Sequence, residues 1–238
     1  MDASALRTVP DVAAAVADDL AQAIAADAAE RGRVVLCLAG GSTPLPLYRR
    51  LAERRDLPWA RVWIAWGDER NVPPDHADRN ERHAREALLD RVPIPEDQVL
   101  PWPWVEDADP QDEADAYALR LRRALGDPST APWFDVTLLG LGSDAHTASL
   151  FPGTGAITAD GLACAVRPGG STYARLTLTP PALSASRRVW FLVQGEAKRE
   201  ALERTLAGAG GPDDLPARTI CALEELRVYT DLTDLRSG

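Results

Sequence analysis

RVVLCLAGGSTPLPLYRRLAERR, residues 33–55, passes from an apolar run through two glycines into a helical pattern. Residues 33–39, RVVLCLA, form a short apolar run, the pattern of a strand buried on both faces, as parallel strands inside α/β sheets are. Pro44 suits the first turn of a helix, where its missing N–H costs nothing, and LPLYRRLAERR carries that helix on. The same alternation recurs outward. An alanine-rich helix is expected over 11–30, and strands over 61–66 (RVWIAW), 134–140 (FDVTLLG), 187–194 (RRVWFLVQ) and 226–230 (LRVYT). Helices are expected over 80–90, over 111–125 and through EAKREALERTLAG, ending at Gly208. RLTLT, 175–179, alternates polar and apolar and reads as a further strand. Strands spaced by helices of this length predict a three-layer, Rossmann-like α/β fold: a mainly parallel sheet with helices on both faces, as one domain over 1–238.

In such open sheets ligands bind beyond the carboxyl ends of the strands. Three polar segments stand at those ends. Gly40-Gly41-Ser42-Thr43 follows the first apolar strand. Its glycines let backbone N–H groups approach an anion, and its hydroxyls sit beside a helix N-terminus. The plainer reading is a tight turn with a Ser/Thr cap; neither a Walker A loop nor GxGxxG is present. Gly67-Asp68-Glu69-Arg70 follows RVWIAW, where carboxylates and a guanidinium can position a polar substrate or simply face solvent. Gly140-Leu141-Gly142-Ser143-Asp144-Ala145-His146-Thr147 follows FDVTLLG and holds one of three histidines. Histidine transfers protons near neutral pH, and Asp144 is close enough to orient the ring. GxSxG is missing, so a serine nucleophile is not indicated. His76, in a Pro/Asp-rich loop, and His83, on a polar helix, lack the spacing of a metal site, even with Asp78. Arg175 and Lys198 would complete a phosphate pocket beside the GGST loop. Lys198 is the one lysine among 26 basic residues.

Composition narrows the class. Hydrophobic residues make up 45% and charged residues 26%, the balance of an ordinary globular chain. The net charge of -10, with no basic run longer than two, argues against nucleic-acid binding. No apolar stretch is long enough to span a bilayer, and the first twenty residues lack a basic segment followed by an apolar core. Three scattered cysteines, Cys37, Cys164 and Cys221, favour a reducing compartment, and a cytoplasmic address is expected.

GGSTPLPLYRRL, WGDERNVPP, LLGLGSDAHTASLFPG, RLTLT and GEAKREAL stand in the order and approximate spacing of the 6-phosphogluconolactonases, a resemblance running from about Leu36 to Arg227. The family shares a fold group with glucosamine-6-phosphate deaminases. The resemblance implies hydrolysis of 6-phosphoglucono-1,5-lactone, with no nucleotide cofactor and no required metal. It implies His146 as general base, with Gly40, Gly41, Ser42 and Thr43 at the ligand, Asp68 and Arg70 on sugar or phosphate, and Arg175 and Lys198 on phosphate. Backbone N–H groups at the start of a helix after His146, or a nearby arginine, would stabilise the oxyanion. The chain is expected to act as a monomer or weak homodimer on a small sugar phosphate lactone. Two departures stand out: the family usually has glycine where this chain has Ala145, and serine where it has Arg79. If position 145 takes φ > 0, alanine there costs roughly 1–2 kcal/mol. The competing readings are an amino-sugar-phosphate deaminase or isomerase and a catalytically silent sugar-phosphate sensor.

Overall fold

A computed structural model describes residues 3–208 and 210–235; residues 1–2, 209 and 236–238 of the expected domain lie outside the described residues. Six parallel strands form the main sheet: β1 (Leu6–Thr8), β2 (Val34–Leu38), β3 (Val62–Trp66), β5 (Phe134–Gly140), β8 (Ser186–Val193) and β9 (Glu225–Thr230), in the order β1-β9-β8-β5-β2-β3. A small antiparallel sheet, β4 (Asp68–Arg70), β7 (Arg175–Leu178) and β6 (Ala163–Val166), stands apart from it. The helices are α1 (Val12–Arg31), α2 (Leu45–Ala52), α3 (Asn80–Ala87), α4 (Pro110–Leu125), α5 (Pro180–Ser184) and α6 (Arg199–Ala207).

The main strands and long helices fall where apolar periodicity puts them. All five residues of β2 are buried, so both faces of the sheet are covered at its centre. Helix α1 is capped by the Asp11 side chain, which accepts from Ala14 N, and it ends at Gly32 in the left-handed region. Helix α6 ends likewise at Gly208, as expected. A partly buried charge cluster ties α1 to the sheet: Arg31 and Arg188 pair with Asp27, and Arg31 also meets Asp135, whose carboxylate accepts from Val35 N at 2.7 Å.

The order of the sheet sets the site. From β2 the chain moves outward to β3, whereas β5, β8 and β9 extend the other way. The reversal lies between β2 and β5, and a crevice opens there at the strand carboxyl ends. Just past β3 the chain leaves the main sheet. Trp66 is held by Tyr117, whose hydroxyl contacts both its N and O, and by Trp102, which donates to Trp66 O and stacks on Tyr117 at 3.8 Å. Gly67 follows, buried against Leu183, and its carbonyl accepts from Leu178 N.

RLTLT is a strand, as expected; Arg175–Leu178 pairs antiparallel with Asp68–Arg70 and Ala163–Val166, outside the parallel sheet. One expectation needs correcting. No helix begins after His146; Thr147 and Leu150 form a bridge and turn instead. A helix N-terminus therefore does not supply oxyanion donors there.

Candidate active site

The loop after β2 forms one wall. Gly41 has φ 83°, a conformation that glycine adopts freely, and Tyr48 pins the turn by donating to Ala39 O at 2.7 Å. No side chain caps α2; in its first turn Leu45 N donates to Ser42 O and Pro46 carries no N–H, which leaves Leu47 N without a cap.

The small sheet forms the second wall. Its register sets Arg70 directly opposite Arg175, a pair 105 residues apart in sequence. Like charges across a strand pair repel, and the Nε atom of each guanidinium is buried without a hydrogen-bond partner among the described residues. Burial, and then the neighbouring Arg70 cation, hold the Arg175 pKa below its ordinary value. Arg70 also donates to Asp78 O, and Arg175 lies over the Tyr173 ring. Asp68 accepts from Ser149 Oγ at 2.7 Å, which ties this wall to the histidine loop.

That loop, after β5, forms the third wall. Gly142 N donates to His146 O and Ala145 N to Gly142 O, closing a tight turn. Asp144 Oδ1 contacts His146 Nδ1 at 2.5 Å, which leaves Nε2 for the cleft, and the imidazole rests on Phe151 with ring centroids 4.2 Å apart. Partial burial works to raise the Asp144 pKa, but His146 outweighs it, and the carboxyl stays below its usual range. Ala145 sits at φ 68° and Ala148 at φ 48°, so the loop presenting His146 carries left-handed, non-glycine residues on both sides of it. The fully buried Ala145 thus adopts a conformation that glycine takes more freely.

Together the walls enclose a cleft of about 450 Å³. Of the residues picked out in the sequence, Gly40, Gly41, Ser42, Thr43, Asp68, Arg70, His146, Arg175 and Lys198 all line it. Asp144 does not; it stands behind the histidine. His76 and His83 lie elsewhere, His76 edge-on to Tyr173 and accepting from Asp78 N. Among the described residues no group of three His, Cys, Asp or Glu side chains could hold a metal ion. The sequence reading missed Asn80, Gln194 and Ser149 as cleft residues. Ser149 lay inside the quoted HTASLFP, but nothing local marked the other two. Arg79, the departure from serine, is buried and spends its guanidinium on Val72 O, Trp102 O and Glu81. It is a structural cation beneath the site rather than a member of it.

A parallel α/β sheet with an anion-ready, histidine-bearing cleft at its topological switch point fits the class of small-molecule enzymes. Residues 7–229 match the family described as glucosamine-6-phosphate isomerases/6-phosphogluconolactonase, and the chain belongs to it. It is 45% identical over 200 residues to a 6-phosphogluconolactonase of Synechocystis sp., covering 83% of this chain and 82% of that one. It is 39% identical to the 6-phosphogluconolactonase of Mycobacterium tuberculosis, covering 90% of each. The crystal structure of 6-phosphogluconolactonase from Thermotoga maritima superposes with a TM-score of 0.84 at 30% identity, covering 94% of this chain and 98% of that one. No helix among the described residues is long and apolar enough to cross a membrane.

Proposed function

We propose that the chain hydrolyses 6-phospho-D-glucono-1,5-lactone to 6-phosphogluconate, the lactone-opening step of the oxidative pentose phosphate pathway. The observation that carries the reading is His146, held by Asp144, opening on the same cleft as Arg70 and Arg175, whose Nε atoms have no hydrogen-bond partner among the described residues. A proton-transfer group and an anion site within one cleft of about 450 Å³ suit a sugar phosphate that reacts at the end remote from its phosphate.

A lactone is already an activated ester, so no covalent nucleophile is required. With Nδ1 held by Asp144, Nε2 of His146 takes a proton from water as its oxygen bonds to C1. The tetrahedral intermediate then collapses, the bond from C1 to the ring oxygen breaks, and His146 returns the proton to that oxygen. The products are a carboxylic acid, which ionises, and a hydroxyl. Arg70, Arg175, Lys198 and the Gly40–Thr43 turn hold the phosphate, and Asp68 takes sugar hydroxyls. The chain acts as one domain, without a nucleotide cofactor or required metal, as a cytoplasmic monomer or weak homodimer.

The test is direct. Wild-type protein should accelerate loss of freshly made lactone and release no ammonia from glucosamine 6-phosphate. His146→Ala should keep its fold and bind 6-phosphogluconate, yet lose ~10²–10⁴-fold in kcat. Near wild-type turnover in that variant removes the mechanism. A wild type that binds 6-phosphogluconate but leaves lactone decay unchanged removes the activity and favours a sensor.

A further inference from the structure

Asn80 opens α3 and is 2% exposed, yet it borders the cleft. Three contacts define its place. Its backbone N–H donates to Glu69 Oε1 at 2.7 Å, while Glu81 N donates to Glu69 Oε2 at 2.8 Å. Arg79, at the cap position, makes no side-chain cap, so the buried Glu69 carboxylate caps α3 from another strand. Glu69 also accepts from Arg70 N at 2.7 Å and stands in β4 between two cleft residues, Asp68 and Arg70. Next, Asn80 Nδ2 donates to Asp68 O at 3.0 Å. A carbonyl only accepts, so this bond sets which end of the amide is nitrogen. The remaining atom, Oδ1, is buried without a partner among the described residues. The amide lies flat on Gly40: a Cβ built on Gly40 would sit 2.0 Å from Oδ1 and 2.2 Å from Nδ2. No left-handed φ requires glycine at position 40; the room taken by Asn80 does.

An unpartnered buried amide oxygen is costly, and an apolar side chain of similar size would avoid it. The amide touches both the GGST turn and the backbone of Asp68. We propose that Asn80, anchored by Glu69, is a positioning residue for the reaction, setting the spacing between the Gly40–Gly41 turn and Asp68 and hence the substrate's seat in the cleft. The inference rests on the function proposed above. Asn80 touches neither His146 nor Asp144, so its effect should fall on binding and leave the proton-transfer step in place.

The experiment compares wild type with Asn80→Ala and with the isosteric Asn80→Asp, using initial rates of lactone hydrolysis, competitive inhibition by 6-phosphogluconate, and Tm. In Asn80→Ala the KM and the inhibition constant should rise together by about tenfold, with kcat within about threefold of wild type. Asn80→Asp sets an oxygen against Asp68 O and should not rescue either constant. A merely structural role lowers the folded fraction instead: apparent kcat falls while KM and the inhibition constant stay at wild-type values, and that result overturns the proposal. So does full rescue by Asn80→Asp, which would make packing volume sufficient. If Asn80→Ala does not fold, Asn80→Ser is read the same way. A wild type inactive on lactone defeats the functional reading; an active wild type with unchanged constants in the variants defeats only this inference.

Discussion

Gly142→Ala isolates the histidine's orientation from everything else in the site. The backbone permits it, because Gly142 is not among the residues with positive φ. The added methyl would lie 2.1 Å from His146 Nδ1, 2.3 Å from its Cε1 and 2.5 Å from Asp144 Oδ1. Carbon needs about 3.5 Å to such neighbours, so the imidazole must retreat by more than about 1 Å. The bond from Nδ1 to Asp144, 2.5 Å long, does not survive such a displacement. Both side chains are partly exposed, at 29% and 48%, and can swing toward water without unfolding the loop. The stability cost should stay within about 1 kcal/mol, the scale of an exposed ion pair. Turnover should suffer far more, because the base loses its fixed tautomer and aim: a fall of ~10²–10⁴ in kcat is expected. The GGST turn and the two arginines are untouched, so KM should move little. Stopped-flow lactone hydrolysis, run beside thermal unfolding followed by circular dichroism, measures both. A folded Gly142→Ala protein turning over at close to the wild-type rate would refute the assignment of His146 and Asp144 as the working pair.

Other perturbations read other parts of the molecule. Ala145→Gly removes the ~1–2 kcal/mol cost of a left-handed alanine and adds back ~0.5–1 kcal/mol of chain entropy. A Tm rise of about 1–4 °C is therefore expected, and a fall would mean the methyl packs better than its φ of 68° costs. Arg175→Gln relieves the cross-strand repulsion with Arg70, stabilising the unliganded protein by ~0.2–1 kcal/mol. The same change should weaken 6-phosphogluconate binding by about 10–100-fold in calorimetry; unchanged affinity would take Arg175 out of the phosphate site. Burial pushes the Glu69 carboxyl from 4.5 up to about 7, against its three backbone donors and Arg79. The folded state thus favours protonated Glu69, so its contribution is full below about 4.5 and is lost as pH rises through 7. Urea unfolding from pH 5 to 8 should show up to about 3 kcal/mol of decline that Glu69→Gln lacks; parallel profiles would contradict it.

The main sheet was legible in the sequence for a local reason. Strands such as Val34–Leu38 and Phe134–Gly140 are covered on both faces, so each must be a continuous apolar run, visible without knowing its neighbours. The segments after those strands carried the cleft's chemistry for the same reason: a parallel sheet sends its ligands to its carboxyl edge. Gly208 as a helix stop, and the expectation of conformational strain at Ala145 should it take positive φ, were likewise readable from residue type.

Contacts that only distant chain segments make were not. Asp68–Arg70 reads as a charged loop, and becomes a strand because Arg175–Leu178 arrives to pair with it. That pairing alone makes neighbours of Arg70 and Arg175. Asn80 reads as the start of a polar helix, and gains its position from Glu69 and from the missing side chain of Gly40. Arg79 is visible in the sequence only as a departure; its burial against Val72 O and Trp102 O makes it a supporting cation. The sequence by itself therefore determined most of the main sheet, the order of the loops and the segment that carries His146, since periodicity and residue chemistry act over a few residues. Only the tertiary structure decided which charges stand opposite one another in the cleft wall, because register between remote strands is set by packing the whole core.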